Sequence, residues 1–290
     1  MELRQVEYVV AAVDEGGFTK AAEAIPVSQP SLSVGIRSLE RELGVALFDR
    51  VGRGVQLTAA GEAFLVPARQ LLRDAATARE AVAAVAGVAA GHLDLVCLPT
   101  LAVEPLAGLL GEFRRHHPGV QVRVVDPVDV ADALDAVRTG RCELGLVELP
   151  AADDLVEQRL LDQEVYAVQP PDAGDHGRVA RRRLPVASLA DLPIVTTPMG
   201  TSMRGLIDDA LEHAGLAPNI AVETAHREAL LPLVLAGAGT AFLPEPMARR
   251  ATDAGAVVSR LEPAVVRTVG LVYRPGPVSP AAAAFLALQP

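Results

Sequence analysis

The run Ser28-Gln29-Pro30-Ser31-Leu32-Ser33 places a hydroxyl, an amide and a proline ring ahead of an apolar repeat. Those residue types read base edges. A glutamine amide carries a donor beside an acceptor and can pair with both N6 and N7 of adenine. Pro30 and the Ser33 hydroxyl are short groups suited to close approach, and Arg37, one turn on, can reach a phosphate or a guanine edge. Arg53 stands between two glycines, where it can grip a phosphate or enter a minor groove. Thr19, Lys20, Ser28 and Val34 complete the set of expected DNA contacts; the Val34 isopropyl group can meet a thymine methyl. A lone arginine would be read as part of a solvated helix face. The ordered set points to double-stranded DNA.

These side chains need helices to hold them. Leu3, Val6, Val10 and Val13 recur at helical spacing, and Gly16-Gly17 ends that pattern. Thr19 is expected to cap a short second helix, and Ser28 a third, whose apolar face is Leu32, Ile36, Leu39 and Leu43. Gly44 stops the third helix, and residues 51–55 suit a small β-wing. The layout is a winged helix-turn-helix over residues 1–58. Residues 59–91 are expected to form a linker helix capped by Thr58 and kinked near Pro67, with a hinge at 87–91. Its Gly61, Phe64, Ala68, Leu71, Ala75, Ala78 and Val82 keep a 3,4 spacing, the seam of a helix that dimerises.

From residue 92 to 290 strand and helix patterns alternate, the mark of an α/β domain with mostly parallel sheets. A helix is expected over 103–116, and strands over 93–98, 120–125, 144–147, 155–168, 194–196, 220–224, 240–243 and 269–273. In a two-lobed domain, ligands sit at strand ends and helix starts, where free N–H groups attract anions. Two loops fit: Pro99-Thr100-Leu101, and Gly200-Thr201-Ser202, each setting hydroxyls at a helix start in a way that suits a carboxylate. Plain N-capping accounts for either loop alone; two in one domain favour a ligand. Thr197 and Met199 are expected to line the same crevice, with His226 also facing it.

Composition closes off other classes. The 290 residues carry 26 basic against 36 acidic side chains, a net charge of −10, and no apolar run is long enough to span a membrane. No secretory signal opens the chain, so a cytoplasmic location is expected. Cys97 and Cys142 are too few for a disulfide framework, and His116-His117 lacks a third ligand, so no metal and no cofactor are expected. Arg181-Arg182-Arg183 reads as a solvated turn. Neither a nucleophile elbow nor a phosphate loop is present, which argues against an enzyme. Even residues 1–58 hold six bases against eight acids, but Arg37, Arg41, Arg50 and Arg53 gather on the recognition helix and wing. Placement, not net charge, is what DNA would meet.

Over residues 1–66 the chain resembles the LysR-type transcriptional regulators. The resemblance rests on Phe18-Thr19-Lys20-Ala21-Ala22-Glu23 and Val27-Ser28-Gln29-Pro30-Ser31-Leu32-Ser33. It continues through Ile36-Arg37-Ser38-Leu39-Glu40, Leu47-Phe48-Asp49-Arg50 and Leu57-Thr58-Ala59-Ala60-Gly61-Glu62. It extends more loosely to the C-terminus. It implies a bacterial, cytoplasmic regulator: a winged helix-turn-helix, a dimerising linker helix, and an effector domain like a type 2 periplasmic binding protein. Lobe I would span about 92–161 and 266–290, and lobe II about 162–265. It further implies a small, organic-acid-like effector between the lobes, contacted by the two loops above, a homodimer or homotetramer, and RNA polymerase as a partner. One departure is Val34-Gly35, where family members often carry a basic or polar pair; Gly35 is read as a flexible point inside the recognition helix. Two other readings remain: a two-lobed small-molecule binding protein, and an architectural DNA-binding protein without an effector.

Overall fold

The computed structural model describes residues 1–51, 54–85, 91–171 and 182–288. Helix α1 (Leu3–Asp14) starts with a capping exchange between Glu2 and Gln5. Helix α2 (Phe18–Ala24) takes Gly17 as its N-cap, so Thr19 lies inside the first turn and does not cap it. The reason is the turn itself: Gly16 and Gly17 both have positive φ, which places the helix start two residues earlier. Helix α3 (Gln29–Leu43) begins where Ser28 Oγ accepts the Ser31 N–H at 3.3 Å and ends at a left-handed Gly44.

Leu32, Ile36 and Leu39 of α3 bury against Tyr8, Val9, Ala12, Ala21, Ala22 and Leu47. Each large apolar side chain contributes about 1.5–3 kcal/mol on leaving water. Gly35 belongs to this packing rather than to flexibility. A Cβ there would lie 2.7 Å from the Tyr8 ring, so the missing side chain lets α1 and α3 cross closely. Strands β1 (Phe48–Val51) and β2 (Gly54–Leu57) pair antiparallel; Arg53, an expected DNA contact, lies outside the described residues.

Helix α4 (Ala59–Val85) is continuous through Pro67, and Thr58 Oγ1 accepts the Gly61 N–H at 3.0 Å. The expected seam divides in two. A Cβ on Gly61 would meet the Leu47 carbonyl at 2.1 Å, Phe64 packs on the head core, and Ala68 is fully buried within its own chain. Gly61 and Phe64 pack on the reading head, and Ala68 is closed off within its own chain. Leu71, Ala78 and Val82 are exposed and Ala75 is half-buried, so only the C-terminal half of the seam keeps surface to offer a partner. Of the expected hinge at 87–91, residues 87–90 lie outside the described residues and Gly91 already begins a strand.

The remainder is built from β3 (Gly91–Cys97), α5 (Pro99–Leu101), α6 (Ala107–His116), β4 (Val120–Val125), α7 (Val130–Arg138), β5 (Leu144–Leu149) and β6 (Val156–Gln169). There follow β7 (Arg182–Pro185), β8 (Ile194–Thr196), α8 (Ser202–His213), β9 (Ile220–Glu223), α9 (Leu230–Leu235) and β10 (Ala241–Pro244). Helix α10 (Glu245–Asp253), strand β11 (Val257–Tyr273) and helix α11 (Pro280–Leu286) close the fold. The helix expected over 103–116 is interrupted, because Pro105 forces Glu104 into extended geometry (φ −156, ψ 130). Arg182 and Arg183 belong to strand β7 rather than a turn, and Arg183 pairs with Glu262 at 2.9 Å.

One sheet, ordered β10-β6-β11-β5-β3-β4 with β7 also on β11, runs through both lobes. Strands β3, β4 and β5 are parallel as expected, but the long β6 and β11 run antiparallel to each other and cross between lobes. Lobe I has a core around Leu95, Leu101, Phe113, Leu146 and Phe285. Lobe II buries two clusters, one around Ile207 and Phe242 and one around Val195 and Val234.

Candidate functional site

On the reading head, Thr19, Lys20, Ser28, Gln29, Pro30, Val34 and Arg37 are all exposed and Ser33 is half-buried. The helical repeat sets the apolar side chains of α3 inward and leaves this set on the outer side. Gln29 Nε2 donates to Ser33 Oγ at 3.0 Å, one turn along, which orients the amide before any base arrives. Val34 remains 54% exposed beside these polar groups, an apolar point on an otherwise hydrophilic face.

The second concentration of sequence-derived residues is the crevice between the lobes. Pro99 and Thr100 line one wall, from the turn after β3; Thr197, Thr201 and Ser202 line the other, at the start of α8. Gly200, with φ +86, sits across from Asp129, whose Cβ would be 3.7 Å from a Cβ added to the glycine. The lobes therefore approach each other at this loop. Leu101 does not take part: it is fully buried in the lobe I core, since the turn that exposes Thr100 rotates the next residue inward. His226 is exposed outside the crevice, 3.5 Å from Glu228, and Met199 is 77% exposed and also off the lining.

Several lining residues were not foreseen. Asp129, Arg227, Phe242, Leu243 and Met247 come from four segments that only the tertiary fold brings together. Asp129 turns its carboxylate onto its own helix, accepting the Asp132 N–H at 2.8 Å. Arg227 directly follows His226, so the basic signal was one residue away from the histidine that drew attention. The crevice is narrow, with about 40 Å³ open to a water-sized sphere.

Hydroxyls in the crevice are wired to one another. Thr201 donates to the Pro198 carbonyl at 2.8 Å, and the Thr197 and Thr201 hydroxyl oxygens are 2.6 Å apart, so Thr197 is the donor of that pair. Thr201 is the N-cap of α8 but makes no side-chain cap bond, which leaves the first N–H groups of the helix for another acceptor. Ser202 Oγ donates to Glu148 Oε1 at 2.5 Å, and the Arg267 guanidinium donates to that same oxygen at 2.7 Å and to Ser202 at 3.1 Å. Arg267 also donates to Gln163 from Nε, at 2.9 Å. Burial lowers the Arg267 guanidinium from its ordinary value, while Glu148 opposes the shift. Through Ser202 the crevice wall is tied to a buried charged network that sequence spacing did not reveal.

Burial pushes the Cys97 thiol up to about 12 and the Cys142 thiol up to about 11, which removes the thiolate needed for nucleophilic or redox reaction. Among the described residues no group of three His, Cys, Asp or Glu side chains could hold a metal ion. No described helix is long and apolar enough to cross a membrane.

Comparison with known proteins gives a consistent pattern. Residues 3–62 match the model of the bacterial regulatory helix-turn-helix protein, lysR family, and residues 86–288 match the LysR substrate binding domain. The transcriptional regulator ShiR of Corynebacterium glutamicum is 35% identical over 244 residues, covering 83% of this chain and 82% of ShiR. Among solved structures, a full-length OxyR variant from Pseudomonas aeruginosa superposes with a TM-score of 0.78 at 27% identity, covering 99% of this chain and 93% of that one. Full-length CbnR in complex with its target DNA gives 0.64 at 25% identity, covering 99% and 98%.

Proposed function

Because this chain belongs to the LysR family of DNA-binding transcriptional regulators, we propose that its output is set by a small organic acid bound between the lobes. The observation that carries this reading is the crevice itself. Free N–H groups at the start of α8, the Thr100 and Thr197 hydroxyls and the Arg227 guanidinium face an apolar wall of Leu98, Val130, Leu230 and Phe242. A carboxylate on a compact apolar body matches that distribution. The outer side of α3 and the wing read the operator. The protein acts in the cytoplasm as a homodimer or homotetramer, joined through the exposed half of α4, and engages RNA polymerase.

Footprinting on the DNA upstream of its own gene tests the reading head. Protection of a partly palindromic site longer than one helical turn is expected, and Gln29→Ala should relax selectivity at one or two base pairs by about 1–3 kcal/mol. A thermal-shift screen of small organic acids tests the crevice, since a ligand bound only by the folded state raises the midpoint with concentration. Thr100→Val and Ser202→Ala should then abolish the effector response while DNA affinity is kept. A normal response from both variants would place the ligand elsewhere.

A further inference from the structure

A second concentration of charge lies away from the crevice, along the seam where α4 meets lobe I. Three guanidiniums converge there: Arg69 and Arg73 from α4, and Arg274 just beyond β11. Arg69 is 5% exposed; one of its terminal nitrogens reaches Asp14 of α1, and its Nε has no hydrogen-bond partner. Arg73 donates to the Gly140 carbonyl at 2.7 Å and to Gln70 Oε1 at 2.6 Å, and Arg274 donates to the Val137 and Cys142 carbonyls. These acceptors are all neutral. Among the described residues no carboxylate lies within ion-pairing distance of Arg73 or Arg274, whereas Arg123 and Arg141 nearby are paired with Asp94 and Asp132.

The carboxylate that faces both unpaired guanidiniums is Glu143. It is buried and accepts the Ser279 N–H at 2.6 Å and the Ser279 hydroxyl at 2.8 Å. Asp74, on the same helix, accepts from Gln70 at 2.7 Å. One buried acid therefore serves two half-buried cations. The imbalance registers on the bases: burial, with Arg274 next to it, pushes the Arg73 guanidinium down to about 10. Two openings of about 350 and 470 Å³ flank the cluster and share Arg73, Thr77, Glu143 and Ser279 as a common wall; Arg69 lines only the smaller and Arg274 only the larger. Space and uncompensated donors coincide.

We propose that this seam is a second ligand site, for an oxyanion of the phosphate class held by Arg73 and Arg274, which line the larger opening together. An oxyanion with several acceptor oxygens can take charge-assisted bonds from two guanidiniums at once. Bound there, it links the helix that carries the reading head to lobe I, independently of whatever occupies the crevice.

Calorimetric titration of the full chain with inorganic phosphate, at ionic strength held constant with chloride, tests the site. Saturable binding of one phosphate per chain is expected. Arg73→Gln and Arg274→Gln should each weaken it by roughly tenfold or more, with folding checked by thermal melting in chloride. Arg274→Lys should recover part of the loss, and Arg37→Gln on the DNA-facing helix should leave phosphate binding unchanged. No saturation beyond chloride, undiminished binding in both glutamine variants, or loss in Arg37→Gln instead would each overturn the proposal.

Discussion

The outer side of α3 and the crevice between the lobes are built in opposite ways. On α3 the polar side chains share one 15-residue helix and its cap, stand largely in solvent, and are joined by short bonds, Gln29 to Ser33 and Ser28 to Ser31. The crevice draws its wall from segments between Leu98 and Met247 and is tied through Ser202 to a buried network in which Ser202, Glu148, Arg267 and Gln163 hold one another. Solvated neighbours act almost singly, so their substitutions add. Groups that share a buried network do not, and one change there displaces several partners.

The sharpest test of that contrast is Arg267→Met, which strips Glu148 and Gln163 of their shared donor. A loss of stability on the order of 3 kcal/mol is expected in urea unfolding, and the Glu148→Gln, Arg267→Met pair should be strongly non-additive. An additive pair would make the crevice no different from the helix. The next largest effect should come from Gly35→Ala, because the tight fit in the head lies behind α3 and not on its DNA side. Overpacking against Tyr8 costs about 1–3 kcal/mol, while alanine returns roughly 1 kcal/mol of helix propensity, so a net loss near 1 kcal/mol is expected. A stabilised variant would show that the helix crossing has slack.

The smallest effect concerns Asp132 at the start of α7. The Val128 N–H and Arg141 hold its carboxyl below the usual carboxylate value of 3.8. A depressed folded pKa means the stabilisation is present above that value and is lost as pH falls through the lower one. Asp132 is half-buried and its ion pair with Arg141 is partly exposed, so Asp132→Asn should remove less than about 1 kcal/mol at neutral pH and flatten the decline on acidification. An acid limb as steep as the parent's would assign that decline to other carboxylates.

What the sequence exposes follows from the range of each interaction. The caps at Ser28 and Thr58, the stop at Gly44 and the outward set on α3 depend on neighbours within one or two turns, and they are legible. Gly35 was misread because its purpose is Tyr8, on another helix. Gly61 matches a dimer seam in spacing while its close neighbour, Leu47, is in the head. Strand β11 was legible only over 269–273, since Glu262-Pro263 breaks the apolar pattern midway through a 17-residue strand. Arg227, Phe242 and Met247 carry no local sign of a shared destination; topology alone assembles them.

Strands β6 and β11 pass through both lobes as one hydrogen-bonded ribbon, with register irregularities between Arg260 and Val265 and between Val269 and Gly270. Mechanically this is a leaf spring and not a pin joint. Any opening of the lobes loads the ribbon in bending and twist, with its softest points at those two irregularities. A ligand that drew the lobes together would work against an elastic element, so part of its interaction energy would be stored as backbone deformation and returned when it left.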